Sequence, residues 1–341
     1  MMTVTVIIPV FNASRTLDGC LGAVGGLDPA PDQIILVDNG STDGSYERLL
    51  DFAKDRPQMV VLQEKRRGPG PARNAGIGIA KGEVLAFLDS DCVADPGWLG
   101  ALLPAFRDPK VGAVAGRLAS TSPRTTVELF SSLYTLQTPQ EPVRCTRWTP
   151  TGGGFSTSNL AVRRHLALDL GGFEEYWIPG EDHDLCARIY VAGYVIQYVP
   201  QAVVLHQHRT TFRAMLRQAF VFGQGHPFLM RRHLQHVLWV DLPGRSFAWE
   251  GSPVPGWLDL ASADKKLLGL LMAGLLAPQA LVLTLAYLGY LCWDASHRVR
   301  RRNFRGSSWA LPALAGCLLA KSAAMTAGRW WGSMKYGALC L

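Results

Sequence analysis

The chain lacks the paired cysteines that hold a structural metal or a disulfide framework. Its seven cysteines include no Cys-x-x-Cys pair and no Cys/His spacing of a zinc site. This pattern excludes a zinc-ribbon protein and a disulfide-rich scaffold, and it predicts buried thiols in a reducing compartment. No signal peptide is recognisable, because Thr3–Val10 has the pattern of a β-strand.

Two glycine motifs of nucleotide-binding proteins are also missing. No Gly-x-Gly-x-x-Gly follows a predicted strand, and no Gly-x-x-x-x-Gly-Lys-Ser/Thr occurs in the chain. These absences argue against a dinucleotide-binding protein and a P-loop nucleotidase.

Charged residues are scarce and unevenly distributed. They make up 18% of the chain, against 48% hydrophobic residues. Residues 206–341 carry 16 basic and 5 acidic side chains, net +11, whereas residues 1–205 carry 18 and 22, net −4. The basic, tryptophan-rich second part indicates an anionic partner, either a membrane surface or a nucleic acid.

Short β-branched runs alternate with helical stretches in the first part of the chain. The predicted strands are Thr3–Val10, Gln33–Val37, Met59–Leu62, Val84–Leu88, Val111–Ala115, Val195–Val199 and Val203–Leu205. We expect Asn12 or Ser14 to cap a first helix, and Thr42 or Ser45 a second. The alternation predicts a doubly wound α/β sheet with a ligand crevice at the carboxyl ends of its strands.

Two acidic clusters follow predicted strands or open helices. In Asp89-Ser90-Asp91, two carboxylates at a strand end can hold one divalent cation, or they can simply cap a turn and the next helix. Glu181-Asp182 opens a helix, where acidic residues are favoured by the macrodipole. Asp184 and Arg188 have the i,i+4 spacing of a helix-stabilising pair.

Six motifs in order resemble a family 2 glycosyltransferase of the GT-A fold, over roughly residues 3–225. The motifs are Ile7–Asn12, Val37–Asp43, Ala72–Gly76, Asp89–Asp91, Gly171–Phe173 and Gly180–Leu185. The resemblance implies a Rossmann-like, doubly wound, mainly parallel sheet. It also implies inverting transfer of a sugar from a nucleotide-diphosphate donor.

The resemblance further assigns roles to residues of these motifs. The nucleotide sugar is expected to contact Pro9, Phe11, Asn12, Asp38, Asn39, Gly40, Arg73, Asp89, Ser90 and Asp91. Asp38 would accept from the base or ribose, and Arg73 would face the base or the phosphates. Asp91 would bind Mg²⁺ or Mn²⁺, and Asp182 would be the general base. Gly153, Gly172 and Glu181 would lie toward the acceptor.

Two further features concern the metal and the number of sugars added. The family often has a metal-binding histidine after the last strand, and His206 is preferred to His208 here, although both can simply be polar residues at a strand exit. The Gln-x-x-Arg-Trp signature of processive members is absent from Leu216–Gly225. Its absence favours the addition of a single sugar.

The C-terminal part is apolar enough to meet a membrane. Leu267–Trp293 has no charge, is interrupted by Pro278, and is followed by the basic segment His297–Arg305 and a weaker apolar stretch, Trp309–Ala320. A single crossing would place these arginines outside, against the positive-inside tendency. A re-entrant or in-plane hairpin around Pro278, two full spans, and a soluble helical subdomain or dimer interface all stay open. Membrane association at the cytoplasmic face is favoured.

We therefore predict a GT-A domain at 1–225, a linker or helical extension at 226–265, and a helical, membrane-associated region at 266–341. The predicted function is transfer of one sugar to a lipid-linked or cell-surface glycan acceptor. The alternatives are a nucleotidyltransferase that makes the sugar nucleotide, or a basic membrane-binding or nucleic-acid-binding protein without activity. The arginines flank uncharged runs instead of alternating with aromatics, which favours lipid over nucleic acid.

Overall fold

The computed structural model describes residues 2–135, 138–175, 179–301 and 310–341. The chain forms two compact units. Unit 1 comprises residues 1–121 and 138–207, and unit 2 comprises residues 122–137 and 208–341. The second segment of unit 1 ends at residue 207, and unit 2 continues from residue 208. The domain boundaries at 225 and 265 stay a prediction.

Strands and helices alternate through unit 1, and helices dominate unit 2. The strands are β1 Val4–Val10, β2 Gln33–Asp38, β3 Met59–Gln63, β4 Val84–Phe87, β5 Cys92–Ala94, β6 Val111–Ser120, β7 Val143–Cys145, β8 Leu160–Arg163, β9 Val195–His206, β10 Val237–Leu242, β11 Arg245–Glu250, β12 Gly256–Asp259 and β13 Leu339–Cys340. The helices are α1 Leu17–Gly25, α2 Ser45–Ala53, α3 Pro69–Ile79, α4 Trp98–Leu102, α5 Thr126–Tyr134, α6 Arg164–Asp169, α7 Glu181–Val191, α8 Phe212–His233, α9 Ala263–Leu276, α10 Leu281–Arg301 and α11 Ala310–Tyr336.

The sheet of unit 1 has the strand order β3-β2-β1-β4-β8-β6-β9-β5, with β7 paired to β9. Strands β3, β2, β1 and β4 are parallel, as are β6 and β9. The predicted α/β class with a mainly parallel, doubly wound sheet is confirmed. The antiparallel strands β5, β7 and β8 were not predicted, because they are short and carry no periodicity of their own.

The predicted caps of the first two helices are wrong. Helix α1 begins at Leu17 after Thr16, so neither Asn12 nor Ser14 caps it. Helix α2 begins at Ser45 after a left-handed Gly44, and the Asp43 carboxylate accepts from the Ser45 amide at 3.1 Å. The two loops also bond to each other, since the Ala13 amide donates to the Ser45 hydroxyl at 3.0 Å and the Ser14 amide to the Asp43 carboxylate at 2.9 Å, and local sequence does not reveal such partners.

In the core of unit 1, helices α3, α6 and α7 pack against one face of the sheet. Alternate residues of the inner strands point into it, as Leu85 and Phe87 do on β4. Phe173, from the Gly-Gly-Phe turn, packs edge-on against Phe87 with ring centroids 5.2 Å apart. This packing fixes the amino ends of α3 and α7 beside the carboxyl ends of the strands.

Unit 2 contains a second sheet in addition to helices. Its strand order is β11-β10-β12-β13. The prediction of a linker or helical extension over 226–265 is therefore wrong for 237–259, where β10, β11 and β12 lie. The C-terminal β13 pairs with β12, so this sheet closes only with residues about eighty positions downstream, beyond the reach of local patterns.

The apolar C-terminal part consists of three helices. Leu267–Trp293 is broken at Pro278 into α9 and α10, as its proline predicts. Within the described residues, Leu311–Tyr336 is the helix long and apolar enough to cross a membrane. Residues 310–320 of the predicted weaker stretch, Trp309–Ala320, are thus part of a longer helix, while residues 302–309, with much of the basic segment, lie outside the described residues.

Helices α8 and α11 approach each other through glycines. A Cβ at Gly328 would overlap the carbonyl oxygen of Phe220, and one at Gly332 would lie 2.6 Å from the carbonyl oxygen of Gln224. We expect Gly328→Ala to destabilise the protein by about 1–3 kcal/mol, because the helices must separate. Gly316→Ala, on the same helix with open space around it, should instead stabilise it by up to about 1 kcal/mol. The thermal unfolding midpoints of both variants test this, and equal shifts would contradict it.

Candidate active site

The predicted donor residues meet at one edge of the sheet. Strands β1 and β2 pair in parallel, as do β1 and β4, so their carboxyl ends at Val10, Asp38 and Phe87 lie side by side. The loops that follow contain the Phe11-Asn12, Asn39-Gly40 and Asp89–Asp91 positions. The structure therefore brings these predicted residues together in the crevice that the parallel sheet implies.

The first two loops are bonded to each other. Asn12 has a left-handed conformation with φ of 47°. Its side-chain oxygen accepts from the Thr42 amide at 2.8 Å, and its backbone amide donates to the Ser41 hydroxyl at 3.0 Å. The Phe11 ring is 49% exposed, and the Arg67 guanidinium lies 5.6 Å from its centroid. An exposed ring beside a planar cation can stack a nucleobase. Arg67 is not among the residues that the resemblance assigns to the nucleotide sugar.

Asp38 and Asn39 hold the shape of the second loop. Asp38 is fully buried, and its carboxylate accepts from the amides of Gly40 and Ser41, each at 3.2 Å. The Asn39 side chain donates to the carbonyl of Arg66 at 2.8 Å and accepts from the Gly68 amide at 2.8 Å. The geometry thus gives Asp38 the task of fixing the loop, whereas the resemblance implied contact with the base or ribose.

Asp89 is held by two donors from elsewhere in the fold. Its carboxylate accepts from the Arg73 guanidinium at 2.8 Å and from the Ser158 hydroxyl at 2.6 Å. Burial by itself would raise the pKa of Asp89, but the Arg73 charge and these hydrogen bonds hold that pKa below its usual value. Asp89 is therefore a fixed anion at the crevice. Ser158 was missed, because 69 residues separate it from Asp89.

Arg73 lies under the site and not at its surface. It is 3% exposed, and besides Asp89 it donates to Glu181 at 3.0 Å. A guanidinium enclosed in this way bridges the two carboxylates. The structure therefore gives Arg73 a bridging role, whereas the resemblance implied that it faces the base or the phosphates.

Potential metal ligands converge beside this bridge. Among the described residues, the donor atoms of Asp91, Cys92 and His206 all lie within 4.8 Å of one another. The His206 imidazole is 3.6 Å from the Asp91 carboxylate, and Cys92 and His206 are paired across β5 and β9. The Asp91 carboxylate suits a hard divalent cation such as Mg²⁺ or Mn²⁺, and the His206 imidazole can complete its coordination, whereas the Cys92 thiol is a soft ligand that such cations do not favour. His206 is the histidine preferred from the sequence, and its role as a metal ligand stays a prediction, while Cys92 was predicted only to be a buried thiol.

The start of α7 supplies the other half of the site. Gly180, at φ of 97°, turns the chain so that Glu181 and Asp182 open the helix. Burial, and next the negative charge of Asp182, raise the pKa of Glu181, although Arg73 opposes the shift. Asp182 accepts from the His183 amide at 2.8 Å, and Asp184 is ion-paired with Arg188 at 2.8 Å, as its i,i+4 spacing predicts.

Gly172 and Gly153 matter for their backbones. Both have positive φ, and a Cβ at Gly172 would overlap the Asn74 side chain. Asn74 bonds to both the amide and the carbonyl of Phe173, each at 2.8 Å, and so clamps the turn to α3. The carbonyl of Gly153 accepts from the Tyr190 hydroxyl at 2.8 Å. The two glycines therefore shape loops beside α7, and acceptor contacts stay a prediction.

Comparison with known proteins identifies relatives of this architecture. Residues 5–171 match the family model described as Glycosyl transferase family 2. The chain is 33% identical over 255 residues to the pre-mycofactocin glycosyltransferase of Mycobacterium tuberculosis, covering 72% of this chain and 52% of that protein. It is 29% identical over 245 residues to the O-antigen chain rhamnosyltransferase RfbN of Salmonella typhimurium, covering 67% of this chain and 75% of the other. The match thus spans about half the length of the mycobacterial protein.

A solved structure extends the likeness through most of the chain. The mannosyltransferase PcManGT from Pyrobaculum calidifontis, in complex with GDP-Man and Mn²⁺, superposes with a TM-score of 0.56 at 22% identity. The match covers 97% of this chain and 87% of that one. At this identity the likeness shows a shared fold, and it agrees with the predicted GT-A class.

Proposed function

Since the chain belongs to glycosyl transferase family 2 through residues 5–171, we propose that it transfers a single sugar from a nucleotide-diphosphate donor to a glycan acceptor. One observation carries the proposal. The Asp89 carboxylate on the donor side and Glu181, next to Asp182 on α7, are bridged by the buried Arg73. The bridge joins the edge proposed to bind the diphosphate to the start of α7, where Asp182 follows Glu181 and is the carboxylate proposed as general base.

Asp91 and His206 would hold Mg²⁺ or Mn²⁺, with the Cys92 thiol within reach. When bound, the cation neutralises the charge that develops on the departing diphosphate. The exposed ring of Phe11, with the Arg67 guanidinium beside it, would stack the base. Asp89, fixed by Arg73 and Ser158, would accept hydrogen bonds from the sugar or the ribose.

Asp182 would take the proton of the acceptor hydroxyl as its oxygen attacks the anomeric carbon. The bond to the diphosphate breaks on the opposite face, so a single displacement inverts the configuration. Glu181 is already engaged by Arg73, which leaves Asp182 as the carboxylate with the freedom to act. General-base help of this kind contributes about 10²–10⁴-fold to the rate.

The acceptor would be a lipid-linked or cell-surface glycan met at the cytoplasmic face of the membrane. The name of the Salmonella relative refers to an O-antigen chain, and the Pyrobaculum enzyme was solved with a nucleotide sugar. The apolar C-terminal helices and the basic second half of the chain support an anionic membrane surface as a partner.

Release of nucleoside diphosphate from a panel of sugar nucleotides tests this function. We expect release from one donor with Mn²⁺ and its loss with EDTA. The Asp91→Asn variant should need at least about tenfold more Mn²⁺ for half-maximal rate, since it loses a charged ligand. Gln207→Ala, at a neighbouring position outside the ligand set, should leave the Mn²⁺ requirement unchanged.

Three outcomes would contradict the proposal. Pyrophosphate as the product would identify a sugar-nucleotide-forming nucleotidyltransferase. Release that is unaffected by EDTA would remove the metal from the mechanism. No nucleotide binding by calorimetry, with any donor, would leave the basic membrane-binding alternative.

A further inference from the structure

Helices α9 and α10 form an antiparallel hairpin with an apolar tip. The Tyr287 hydroxyl donates to the carbonyl of Ala263 at 3.3 Å near the open end, and Gly274 packs against Leu281 near the closed end. We call Leu267–Trp293, which contains no charged side chain, the hairpin tip.

Apolar side chains at the tip face outward to an unusual degree. Leu276 is 88% exposed, Leu275 is 78% exposed and Leu285 is 69% exposed. Isolated exposed leucines are common in soluble proteins, but a contiguous set around one turn marks a contact with an apolar phase or a partner. The tip therefore has a surface that water does not favour.

The length of the arms limits how deeply they can enter a bilayer. At 1.5 Å per residue, the uncharged part of α9, Leu267–Leu276, is about 15 Å long, and that of α10, Leu281–Trp293, is about 20 Å long. The hydrocarbon core is about 30 Å thick. The first arm can cross about half of it and the second about two thirds, so neither spans it, and Pro278 returns the chain to the side from which it came.

The open end of the hairpin is basic and aromatic. Helix α10 ends with Arg298, Arg300 and Arg301, and Lys265 and Lys266 lie in the first turns of α9. The nearby acids are engaged, since Asp294 pairs with Arg298 at 2.8 Å and Asp264 accepts from the Ser322 hydroxyl at 2.6 Å.

At the end of the hairpin tip that adjoins this basic end, Tyr290 and Trp293 have ring centroids 5.9 Å apart and are both exposed. Aromatic rings at such a boundary are typical of a membrane interface. The sequence of apolar tip, aromatic belt and basic end matches the layers of one leaflet with anionic headgroups.

Helix α11 is less suited to enter the bilayer, despite its length. Its Arg329 is 3% exposed and donates to Asp259 and to the carbonyl of Leu341, each at 3.0 Å. Its Ser322 and Thr326 hydroxyls bond to Asp264 of α9. A spanning α11 would carry these charged groups into hydrocarbon, whereas the hairpin tip carries none.

We propose that the hairpin tip inserts into a single leaflet of an anionic bilayer, so that unit 2 binds the membrane from one side without crossing it. The inference rests on the proposed function only in that such a surface presents a lipid-linked acceptor. The inserted residues are Leu267–Trp293, and both ends of the hairpin lie on the same side of the membrane.

Vesicle flotation tests the insertion. Vesicles of phosphatidylcholine with roughly one quarter phosphatidylglycerol should carry the wild-type protein, and pure phosphatidylcholine should carry less. Leu276→Asp and Val282→Asp should each lower the partition coefficient by at least about tenfold, since each places a charge in hydrocarbon. Val191→Asp, at a residue 83% exposed at the end of α7, is the matched control and should float like wild type.

Labelling with a membrane-impermeant maleimide tests the topology. In a background with Cys145→Ser and Cys292→Ser, bound to preformed vesicles, Arg300→Cys should label from outside and Leu276→Cys should be protected. Protection of Arg300→Cys would overturn the proposal in favour of full spans. Undiminished flotation of Leu276→Asp would also overturn it, as would a change confined to self-association in sedimentation, which would assign the tip to a second copy.

Donor turnover in detergent separates this inference from the proposed function. The tip variants should turn over the donor at the wild-type rate in detergent, because the tip is not part of the donor site. If the wild-type protein floats with vesicles but turns over no donor, the proposed transferase function is refuted and the membrane-inserting hairpin is still supported.

Discussion

Asp182→Asn should lower kcat about 10²–10⁴-fold while leaving donor affinity close to that of wild type. The amide keeps the size of the side chain and its bond to the His183 amide, but it cannot take a proton from the acceptor hydroxyl. Nucleoside diphosphate release in the presence of acceptor measures the rate. Calorimetric titration with the donor measures the affinity.

Glu181→Gln is the control for the Asp182 experiment. Glu181 precedes Asp182 on α7, and its burial and the Asp182 charge raise its pKa. The hydrogen bond that Arg73 donates to Glu181 accounts for the position of this carboxylate without any proton transfer. We expect a smaller loss of rate from Glu181→Gln than from Asp182→Asn. The reverse order, with donor binding intact in both variants, would make Glu181 the base and refute the assignment of Asp182.

The donor edge could be predicted because it depends on strand ends. The apolar composition of a run such as Val84–Leu88 predicts a buried strand, and the polar triplet Asp89-Ser90-Asp91 predicts where that strand ends. The structure ends β4 at Phe87, one residue earlier, and leaves Asp89 and Asp91 in the crevice. In a parallel sheet the carboxyl ends share one edge, so topology alone brought the predicted loops together.

The roles of individual side chains could not be predicted in the same way. Arg73 and Asp38 stand in the expected motifs, yet one is 3% exposed and the other is fully buried. Their partners are set by packing between distant segments, as Ser158 is for Asp89. A motif reports which residues are present at a site, while burial decides which of them can reach a ligand.

The same distinction applies to the C-terminal part. The break at Pro278 follows from the chemistry of proline, which cannot continue the helical hydrogen bonds, and α9 and α10 separate there. The hairpin of β10 and β11 around Pro243-Gly244 has a signal in the local sequence that was missed, whereas β12 is stabilised by pairing with β13 and by Asp241, which accepts from the Trp257 indole at 2.6 Å. Such contacts are non-local, and local composition carries no trace of them.

Removing the buried Arg73 guanidinium should strongly destabilise unit 1. Arg73→Met keeps the bulk of the side chain but leaves Asp89 and Glu181 without their shared counter-charge. Breaking a buried ion pair by removing one partner costs about 3–5 kcal/mol, which for a chain of this size lowers the unfolding midpoint by roughly 10 °C. We also expect at least about a 100-fold loss of donor turnover, because Asp89 loses the bond that orients it.

Two further variants separate the bridge from direct substrate contact. Arg73→Lys keeps the charge but cannot bond both carboxylates with one planar group, so it should recover part of the stability and little of the turnover. Adding Glu181→Gln to Arg73→Met removes one uncompensated charge and should restore at least about 1 kcal/mol of stability. If Arg73→Met instead unfolds at the wild-type temperature and only raises the donor KM, the guanidinium binds the donor directly and the bridge is not its function.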